Sequence, residues 1–445
     1  MRLRHGVVGA VGLALALSAC SSTTSEPTTD ASAGASEAAS PAAEAVDLRW
    51  RTRPDNQAEA DVYQGISDEI TAKNIGLNLT YEAGNSEGSP YQDKLKTELS
   101  AGTAPDVFWI PGTDVADFAK AGLLLNASDV SAAAGFNPAD FYAGPMDQLL
   151  VDPATGQKAD GFVWGVPRDV STFALYLNLD LIDKAGVDDP RQLAADGKWT
   201  WDAFQETAKA ISDLGGGVKG FGAGGWWANW GYWVNSAGGS FFNEDRTACN
   251  LDSEESVNGI EYYQKLYDAG YGVKFGEDPE PVYKSGKLGM FTNGRWATPG
   301  SREITDFNWD VAPMPTGAAP GGDWQFWGAY VINAKTADPA AAWKLVAELT
   351  SLEVQDKISS LGANIPSRTS QEAIDKFLTY TPPENNQAFV DGIQNNPVAE
   401  GPLWQGNWPE FDTATNAVVT QYMNGEITTD EYQSTICKVA APAFE

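Results

Sequence analysis

The chain has 445 residues, a formal net charge of −31 at pH 7 and a sequence pI of about 4.2. Nucleic acids and anionic membrane surfaces are bound through basic patches, so this charge argues against both as partners. The length exceeds what one hydrophobic core supports and predicts two lobes. The only histidine, His5, lies in the N-terminal segment. The remaining chain therefore lacks the residue for Ser–His or Cys–His catalysis and for histidine-ligated metals, and we expect neither a cofactor nor a metal.

Residues 1–19 have the features of a signal peptide. Arg2 and Arg4 precede an apolar run over residues 7–17, and Leu-Ser-Ala then leads to Cys20. A short apolar run that ends at a cleavage site is typical of a secretory signal and not of a membrane span. The sequence before Cys20 resembles the lipobox of bacterial lipoproteins, which implies that Cys20 carries the lipid. The alternative is an ordinary cleaved signal that leaves Cys20 unmodified.

Residues 20–45 are predicted to be a disordered tether. After Cys20 this segment consists mainly of Ser, Thr, Ala, Pro, Glu and Asp, without Lys, Arg or aromatic residues. Such a composition cannot bury enough apolar surface to offset the entropy of chain ordering. The globular part is expected to begin near Val46.

Helical and strand patterns alternate from residue 46 onward, which predicts an α/β lobe. The predicted elements are strand 47–51, helix 61–73, strand 77–81, a helix that begins at 91, and strand 107–110. The last strand is a short apolar run, as expected for a strand buried on both faces. Ligands of open α/β sheets bind beyond the carboxyl ends of the strands, so residues 109–114 are the first candidate for a site.

Residues 224–233 read GGWWANWGYW and contain an unusual density of tryptophan. A buried helix does not need the glycines in this stretch, and glycine allows backbone angles that other residues avoid. We therefore expect a loop that splays its tryptophans toward a ligand.

Several motifs resemble those of the family 1 extracellular solute-binding proteins, the maltose-binding-protein-like sugar-binding subunits of bacterial ABC importers. Ala-Gly-Thr-x-Pro-Asp-Val at 101–107 leads to a strand and then to a helix that ends in Ala-Gly-Leu-Leu at 121–124. Further matches are Thr-Trp-x-x-Phe at 200–204, Gly-Lys-Leu-Gly-Met at 286–290, Asn-Gly-Arg-Trp at 293–296 and Gly-x-x-x-Pro-x-Arg at 362–368. The matches follow the family's order across residues 46–445.

The resemblance implies an α/β, two-lobe periplasmic-binding-protein (type II) fold with a hinge between discontinuous lobes. Lobe 1 would comprise residues 46–167 and 329–363, and lobe 2 residues 168–328 and 364–445. It also implies a non-enzymatic, monomeric lipoprotein on the extracytoplasmic face of the cell membrane, attached to the membrane only through its lipid. Such a protein captures a neutral carbohydrate, here expected to be an oligosaccharide, between its lobes and delivers it to the transmembrane subunits of an ABC permease.

Sugar recognition combines aromatic faces, which pack against the C–H faces of the ring, with polar groups that bond the hydroxyls. The predicted ligand-binding residues are Asn85, Asp114, Asp169, Trp226, Trp227, Trp230, Trp296, Trp327, Arg368, Trp404 and Trp408. Other interpretations stay open: Asp114 and Asp169 are also suited to helix capping, and Arg368 to an interlobe salt bridge.

Cys249 and Cys437 are the cysteines that remain once Cys20 is lipidated. An even pair in an oxidising compartment predicts a disulfide, and two separate buried thiols are the alternative.

Two other classes of function are compatible with an acidic, tryptophan-rich secreted chain. A glycoside hydrolase would use two carboxylates about 5 to 10 Å apart, and the many acidic residues offer such pairs. A cell-surface carbohydrate-binding adhesin needs only the aromatic and polar binding residues. No motif marks a catalytic carboxylate pair, and the resemblance favours a binding protein.

Overall fold

The computed structural model describes residues 45–54, 57–84, 90–319, 321–395 and 397–445. The predicted signal peptide, nearly all of the predicted tether, the proposed lipidation residue Cys20 and the predicted ligand contact Asn85 lie outside the described residues.

The strands alternate with helices along most of the chain. The strands are β1 Val46–Thr52, β2 Leu77–Ala83, β3 Val107–Pro111, β4 Val151–Asp152, β5 Gln157–Lys158, β6 Val166–Ser171, β7 Phe173–Asn178, β8 Lys219–Gly222, β9 Leu288–Gly294, β10 Trp309–Ala312, β11 Trp324–Ile332, β12 Ile365–Pro366 and β13 Val398–Ala399.

The helices are α1 Gln57–Ala72, α2 Pro90–Ala101, α3 Val115–Lys120, α4 Ser128–Ala133, α5 Ala143–Leu149, α6 Leu179–Ala185, α7 Pro190–Ala195, α8 Trp201–Ser212, α9 Trp227–Ser236, α10 Glu254–Asp268, α11 Glu280–Lys284, α12 Thr298–Ser301, α13 Pro339–Leu349, α14 Leu352–Ser360, α15 Gln371–Phe377, α16 Gln387–Gln394, α17 Trp408–Met423 and α18 Thr429–Ala440. Short 3₁₀ turns add Gly112–Asp114, Pro138–Asp140, Arg295–Ala297 and Ala441–Phe444.

Two larger sheets organise the described residues, and β4 and β5 form a separate two-stranded sheet. The larger sheet has the order β12-β6-β11-β3-β1-β2, with β13 paired to β11, and the smaller sheet has the order β10-β7-β9-β8. β11 runs antiparallel to β3 and β6, with Gly328 opposite Pro111 and Phe326 opposite Ser171. The carboxyl ends of β3 and β6 and the start of β11 therefore share one edge of the larger sheet.

The chain passes between the sheets at short connections. β6 belongs wholly to the larger sheet, and only Thr172 separates it from β7 of the smaller sheet. The chain returns between Ala312 and Trp324, because all of β11 pairs within the larger sheet. The predicted lobe boundaries at 167/168 and 328/329 therefore fall inside β6 and β11. The sequence motifs identify strands, so they do not locate the connections where the chain passes from one sheet to the other. The assignment of residues to two lobes stays a prediction.

The tryptophan-rich stretch forms a helix and not the predicted loop. All ten residues of α9 are buried. A Cβ atom on Gly231 would lie 2.5 Å from the Phe241 ring, so this glycine permits close packing of the helix rather than an unusual backbone angle. The loop interpretation of residues 227–233 was therefore wrong. Among the tryptophans of the stretch 224–233, only Trp226 lies outside the helix and is exposed.

Helix termini follow local sequence signals. The Thr200 hydroxyl accepts a hydrogen bond from the Ala203 backbone N–H at the start of α8, as its N-cap position predicts. Thr428 and Glu431 form a capping box at the start of α18. These caps fix where the helices around the smaller sheet begin.

A disulfide joins Cys249 to Cys437, the pair for which a bridge was predicted, with their Cα atoms 5.3 Å apart. It links the turn that follows α9 to α18, across 188 residues of sequence.

Among the described residues, no helix has the length and apolar character needed to cross a bilayer.

Candidate ligand-binding cleft

A cleft of about 1040 Å³ lies between the facing edges of the two sheets. The larger sheet contributes the ends of β3 and β6 and the start of β11, and the smaller sheet contributes the turn after β9. This position agrees with the rule that ligands of open α/β sheets bind at strand carboxyl ends. The volume lies at the upper end of the range for small-molecule sites.

One side of the cleft, the polar wall, consists of Arg53, Trp109, Arg168, Asp169 and Asn364. All except Arg53 are less than a tenth exposed. Arg168 and Asp169 are adjacent in β6 and form an ion pair of 2.6 Å. The wall therefore presents charged and amide groups from a largely desolvated surface.

A buried hydrogen-bond network holds Arg168 in place. Its guanidinium donates to the Tyr63 hydroxyl at 2.9 Å, and the Tyr63 hydroxyl donates to Glu59 at 3.0 Å. Burial by itself would lower the pKa of Arg168, but the neighbouring Asp169 carboxylate raises it above its usual value. Arg168 therefore stays charged and orients Asp169 beside the cleft.

Trp109 is the centre of the polar wall. The guanidinium carbons of Arg53 and Arg168 each lie 4.9 Å from its ring centroid, within cation–π distance. A Cβ atom on Gly328 would lie 2.0 Å from its indole nitrogen, so only glycine at this position of β11 lets the ring lie against the strand. The β11–β6 register also shifts between Gly328 and Ala329.

Several donors of the polar wall are buried and have no partner in the described part of the chain. They are Nε of Arg53, Nε of Arg168, Nε1 of Trp109 and Nδ2 of Asn364. Buried polar groups nearly always form hydrogen bonds, so an unpartnered group at a cleft marks a place for a ligand or water oxygen. The polar wall can therefore accommodate several oxygen acceptors.

The opposite side, the aromatic wall, consists of Trp226, Trp227, Trp296 and Phe326. Phe326 lies at its centre, with ring centroids 5.7 Å from Trp226 and 5.3 Å from Trp296. Trp226 is 36% exposed, the largest exposed aromatic side chain among the described residues. An exposed indole supported by other rings is suited to stacking against a ligand.

The turn after β9 positions Trp296. Arg295 is fully buried between the Phe377 and Phe389 rings, and its backbone N–H donates to the Ser171 hydroxyl at 3.0 Å. Burial lowers the pKa of Arg295 to about 9. A Cβ atom on Gly294 would lie 2.2 Å from the Trp296 ring, so the indole packs directly on the backbone of β9.

Glu400 and Trp327 lie where the two walls meet. The Trp327 backbone N–H donates to the Glu400 carboxylate at 3.2 Å, and its indole N–H donates to the Glu400 carbonyl at 2.5 Å. Burial raises the pKa of Glu400 to about 8. At pH 7 the carboxyl group is therefore mostly protonated and can both donate and accept a hydrogen bond.

The structure brings five of the predicted ligand-binding residues together at the cleft. They are Asp169, Trp226, Trp227, Trp296 and Trp327. Asp114 instead lies in the 3₁₀ turn beside the cleft-lining Thr113, where burial raises its pKa to about 6. It makes no side-chain capping bond to α3, so the capping alternative is not realised either.

Four predicted ligand contacts do not line the cleft. Trp230 is fully buried and donates to Asn416 at 3.0 Å, because it faces the core side of α9. Trp404 is 5% exposed and donates to the Gln148 carbonyl at 3.2 Å. Arg368 pairs with Asp140 at 3.3 Å and stacks on Phe141, so it serves packing. Trp408 begins α17 and lines a separate, smaller cavity.

Sequence reasoning missed most of the polar wall. Arg53 follows the first strand, and Trp109 lies within β3 in the stretch that was the first candidate for a site, so a position near the carboxyl end of a strand is a signal that could have found both. Asn364 and Glu400 carry no comparable signal, because only the sheet register brings their segments to the cleft.

Within the described residues, no cluster of His, Cys, Asp or Glu could hold a metal ion.

Residues 55–356 match the family model of bacterial extracellular solute-binding proteins. The chain belongs to this family. The family is one of binding proteins that act outside the cytoplasm.

Relatives of this solute-binding protein match it over most of its length. A Brucella abortus protein described as a binding protein is 23% identical over 401 residues, covering 86% of this chain and 89% of its own. An ABC substrate-binding protein from Listeria monocytogenes, solved with cycloalternan, is 21% identical with a TM-score of 0.76, covering 89% and 98% of the two chains. The GacH receptor of Streptomyces glaucescens, solved with acarbose, is 21% identical with a TM-score of 0.74, covering 90% and 99%. These likenesses confirm the predicted two-lobe type II fold.

Proposed function

We propose that this protein captures a neutral carbohydrate, an oligosaccharide, in the cleft and delivers it to the transmembrane subunits of an ABC permease. The observation that carries the proposal is the pairing of the two walls. Aromatic faces oppose buried, unpartnered donors across about 1040 Å³. A sugar ring has apolar C–H faces and many hydroxyl acceptors, so it matches both walls at once.

The structural relatives support a carbohydrate ligand. Those from Listeria and Streptomyces were solved with a cyclic oligosaccharide and with acarbose, respectively. The cleft lining carries both charge signs: Arg53, Arg168 and Lys284 stand against Asp169, Glu280 and Glu303, while Glu400 is mostly protonated at pH 7. This balance favours a neutral ligand over a strongly anionic or cationic one.

Calorimetric titration with linear α- and β-linked glucose oligomers of one to five rings, and with their galactose and xylose counterparts, tests the proposal. We expect saturable binding of at least one neutral oligomer and competition between oligomers for one site. A reporter glycoside should stay uncleaved, which separates a binding protein from a hydrolase. If no neutral saccharide binds while the protein melts cooperatively, the carbohydrate assignment fails.

We also propose that Cys20 carries a lipid that holds the protein at the outer face of the cell membrane. The Leu-Ser-Ala-Cys sequence supports this, and two acyl groups suffice for lasting attachment. Cys20→Ser should release the protein into the medium or leave its signal uncleaved. A variant that stays membrane-bound with a normally processed N-terminus would contradict the anchor.

Two lobes that hinge at the connections between the sheets would couple capture to delivery. The ligand would bind the closed arrangement more tightly and so shift an open–closed equilibrium, creating the surface that the permease recognises. In this proposal the protein acts as a monomer. Small-angle scattering with and without the bound oligomer tests it through a decrease in the radius of gyration, and an unchanged radius at saturation would contradict hinge closure.

A further inference from the structure

A second cavity adjoins the cleft behind the aromatic wall. It measures about 260 Å³, and we call it the side pocket. Its lining includes Trp227, Asn235, Phe241, Arg246, Trp324 and Trp408. Trp227 and Glu400 line both the cleft and the side pocket, so the two cavities adjoin at these residues.

The walls of the side pocket are aromatic and fixed by ring contacts. Trp227 contacts Trp324 with ring centroids 4.9 Å apart and Trp408 with centroids 5.0 Å apart, both nearly perpendicular. Phe241 packs on Trp324 at 5.4 Å. These rings line the side pocket, and aromatic side chains are suited to packing against an apolar surface.

Polar groups complete the lining. Asn235 is 6% exposed, and its Nδ2 donor is buried without a partner among the described residues. The Arg246 guanidinium lies 4.8 Å from the Phe242 ring centroid and donates to the Gly401 carbonyl at 3.1 Å. Burial lowers the pKa of Arg246 to about 10. The side pocket thus offers an amide donor, a guanidinium and the carboxyl group of Glu400.

The turn that carries Arg246 is held in an uncommon conformation. Arg246 has φ 56°, in the left-handed region that residues other than glycine seldom adopt. The Asn243 amide oxygen stabilises the turn by accepting the backbone N–H groups of Thr247 and Ala248. Strain of this kind tends to persist where it positions a functional side chain.

We propose that the side pocket is a second saccharide subsite, which takes a terminal ring of the oligosaccharide whose other rings lie in the cleft. This inference rests on the proposed function. The aromatic faces match the C–H face of a sugar ring, and the amide, guanidinium and carboxyl groups match its hydroxyls. The volume is slightly below the range for complete small-molecule sites and about a quarter that of the cleft, which fits one ring of a longer ligand.

Affinity as a function of oligomer length tests the subsite. Calorimetry with linear α-linked glucose oligomers of one to five rings should show a rise in affinity of about 10-fold or more once a terminal ring reaches the side pocket. Arg246→Met keeps the aliphatic stem but removes the charge and donors, and Trp408→Ala removes one aromatic face. Both variants should lose this rise while binding the shorter oligomers within about threefold of the unsubstituted protein.

Asp245→Ala is the matched control, because Asp245 is exposed in the same turn but does not line the side pocket. The melting temperature of each variant shows whether a loss of affinity comes from misfolding or from lost contacts. If Trp408→Ala unfolds, Arg246→Met still tests the subsite. Hydrogen exchange gives a second readout: amides 239–246 should gain protection only with the longer oligomers.

The outcomes separate this inference from the proposed function. Binding of short and long oligomers with equal affinity, or a length-dependent rise that survives both substitutions, overturns the subsite and leaves cleft binding intact. Failure of every neutral saccharide to bind overturns the proposed function and the subsite with it.

Discussion

The two walls of the cleft are built by different physics. The polar wall depends on desolvated charges, with Trp109 between two guanidiniums and Asp169 paired to Arg168. The aromatic wall depends on ring contacts around Phe326, without an ion pair among its four residues. The directional bonds of the first wall suit discrimination between hydroxyl configurations, and the apolar area of the second suits affinity. A ligand that spans the cleft must satisfy both.

Removing the disulfide should have the largest effect, and it acts on the side of the aromatic wall. Cys249–Cys437 closes 188 residues of sequence, and the chain-entropy model gives a stabilisation of up to about 5 kcal/mol for such a loop. The double variant Cys249→Ser/Cys437→Ser should show a lower free energy of unfolding in urea. Intact mass after alkylation, with and without reductant, is the control. Two freely alkylated thiols in unreduced, denatured protein would disprove the bridge.

Loss of an aromatic platform should weaken ligand binding next most strongly. Trp226→Ala and Trp296→Ala should each cost about 2 to 4 kcal/mol, or about 30- to 1,000-fold in dissociation constant, because each removes apolar contact area. Calorimetry with the best-binding oligomer measures the loss.

Trp226→Phe is the matched control for Trp226→Ala, since it retains an aromatic face and should recover part of the affinity. Trp226 is the most exposed aromatic side chain described, so its removal should change the melting temperature little. If both alanine variants bind within about threefold of the unsubstituted protein, the aromatic wall does not carry the affinity.

A substitution in the polar wall should cost less affinity but change selectivity more. Asp169→Asn keeps the shape while weakening the pair with Arg168 and any bond to a hydroxyl, at a cost of about 1 to 3 kcal/mol. Titration of the best-binding sugar and of its epimers should show a smaller preference between epimers than in the unsubstituted protein. A uniform loss across all epimers would instead assign Asp169 a structural role.

The sequence predicted the sheets well and the cleft in part. The predicted strand 107–110 agrees with β3, because an unbroken apolar run that ends at a proline allows few alternatives. The aromatic wall was largely predicted because tryptophan beside glycine is conspicuous. The polar wall was largely missed, because Arg53, Arg168 and Asn364 come from distant segments that only strand pairing brings together.

The error at residues 227–233 has a single physical cause. Glycine serves both positive backbone angles and close packing, and sequence alone does not separate these uses. Gly231 lies in a helix against Phe241, so the neighbouring Trp230 faces the core and not the ligand.

The smallest expected effect concerns pH, and it tests the junction of the two walls. Burial raises the pKa of Glu400 to about 8 in the folded protein from its usual value of 4.5. Between these values the folded state retains a proton that the unfolded state releases, so this group's contribution to stability is present at low pH and falls as pH rises toward 8. Between pH 6 and pH 7 the contribution of Glu400 to the free energy of unfolding falls by about 1 kcal/mol, because the folded state binds at most one more proton than the unfolded state.

Glu400→Gln isolates that contribution, because a neutral amide keeps the shape and cannot titrate. Urea unfolding at pH 6 and pH 7 should show a smaller loss of stability for the variant than for the unsubstituted protein. Burial raises the pKa values of Asp114 to about 6 and of Asp323 to about 7, so both groups titrate in the same window. They remain in both proteins, so their own titration cancels from the difference, and only the Coulombic coupling of Asp114 to Glu400 is removed together with Glu400. Equal slopes in the two proteins would mean that Glu400 is ionised in the folded state, and the junction of the walls would then carry a negative charge facing Asp114 and Asp169.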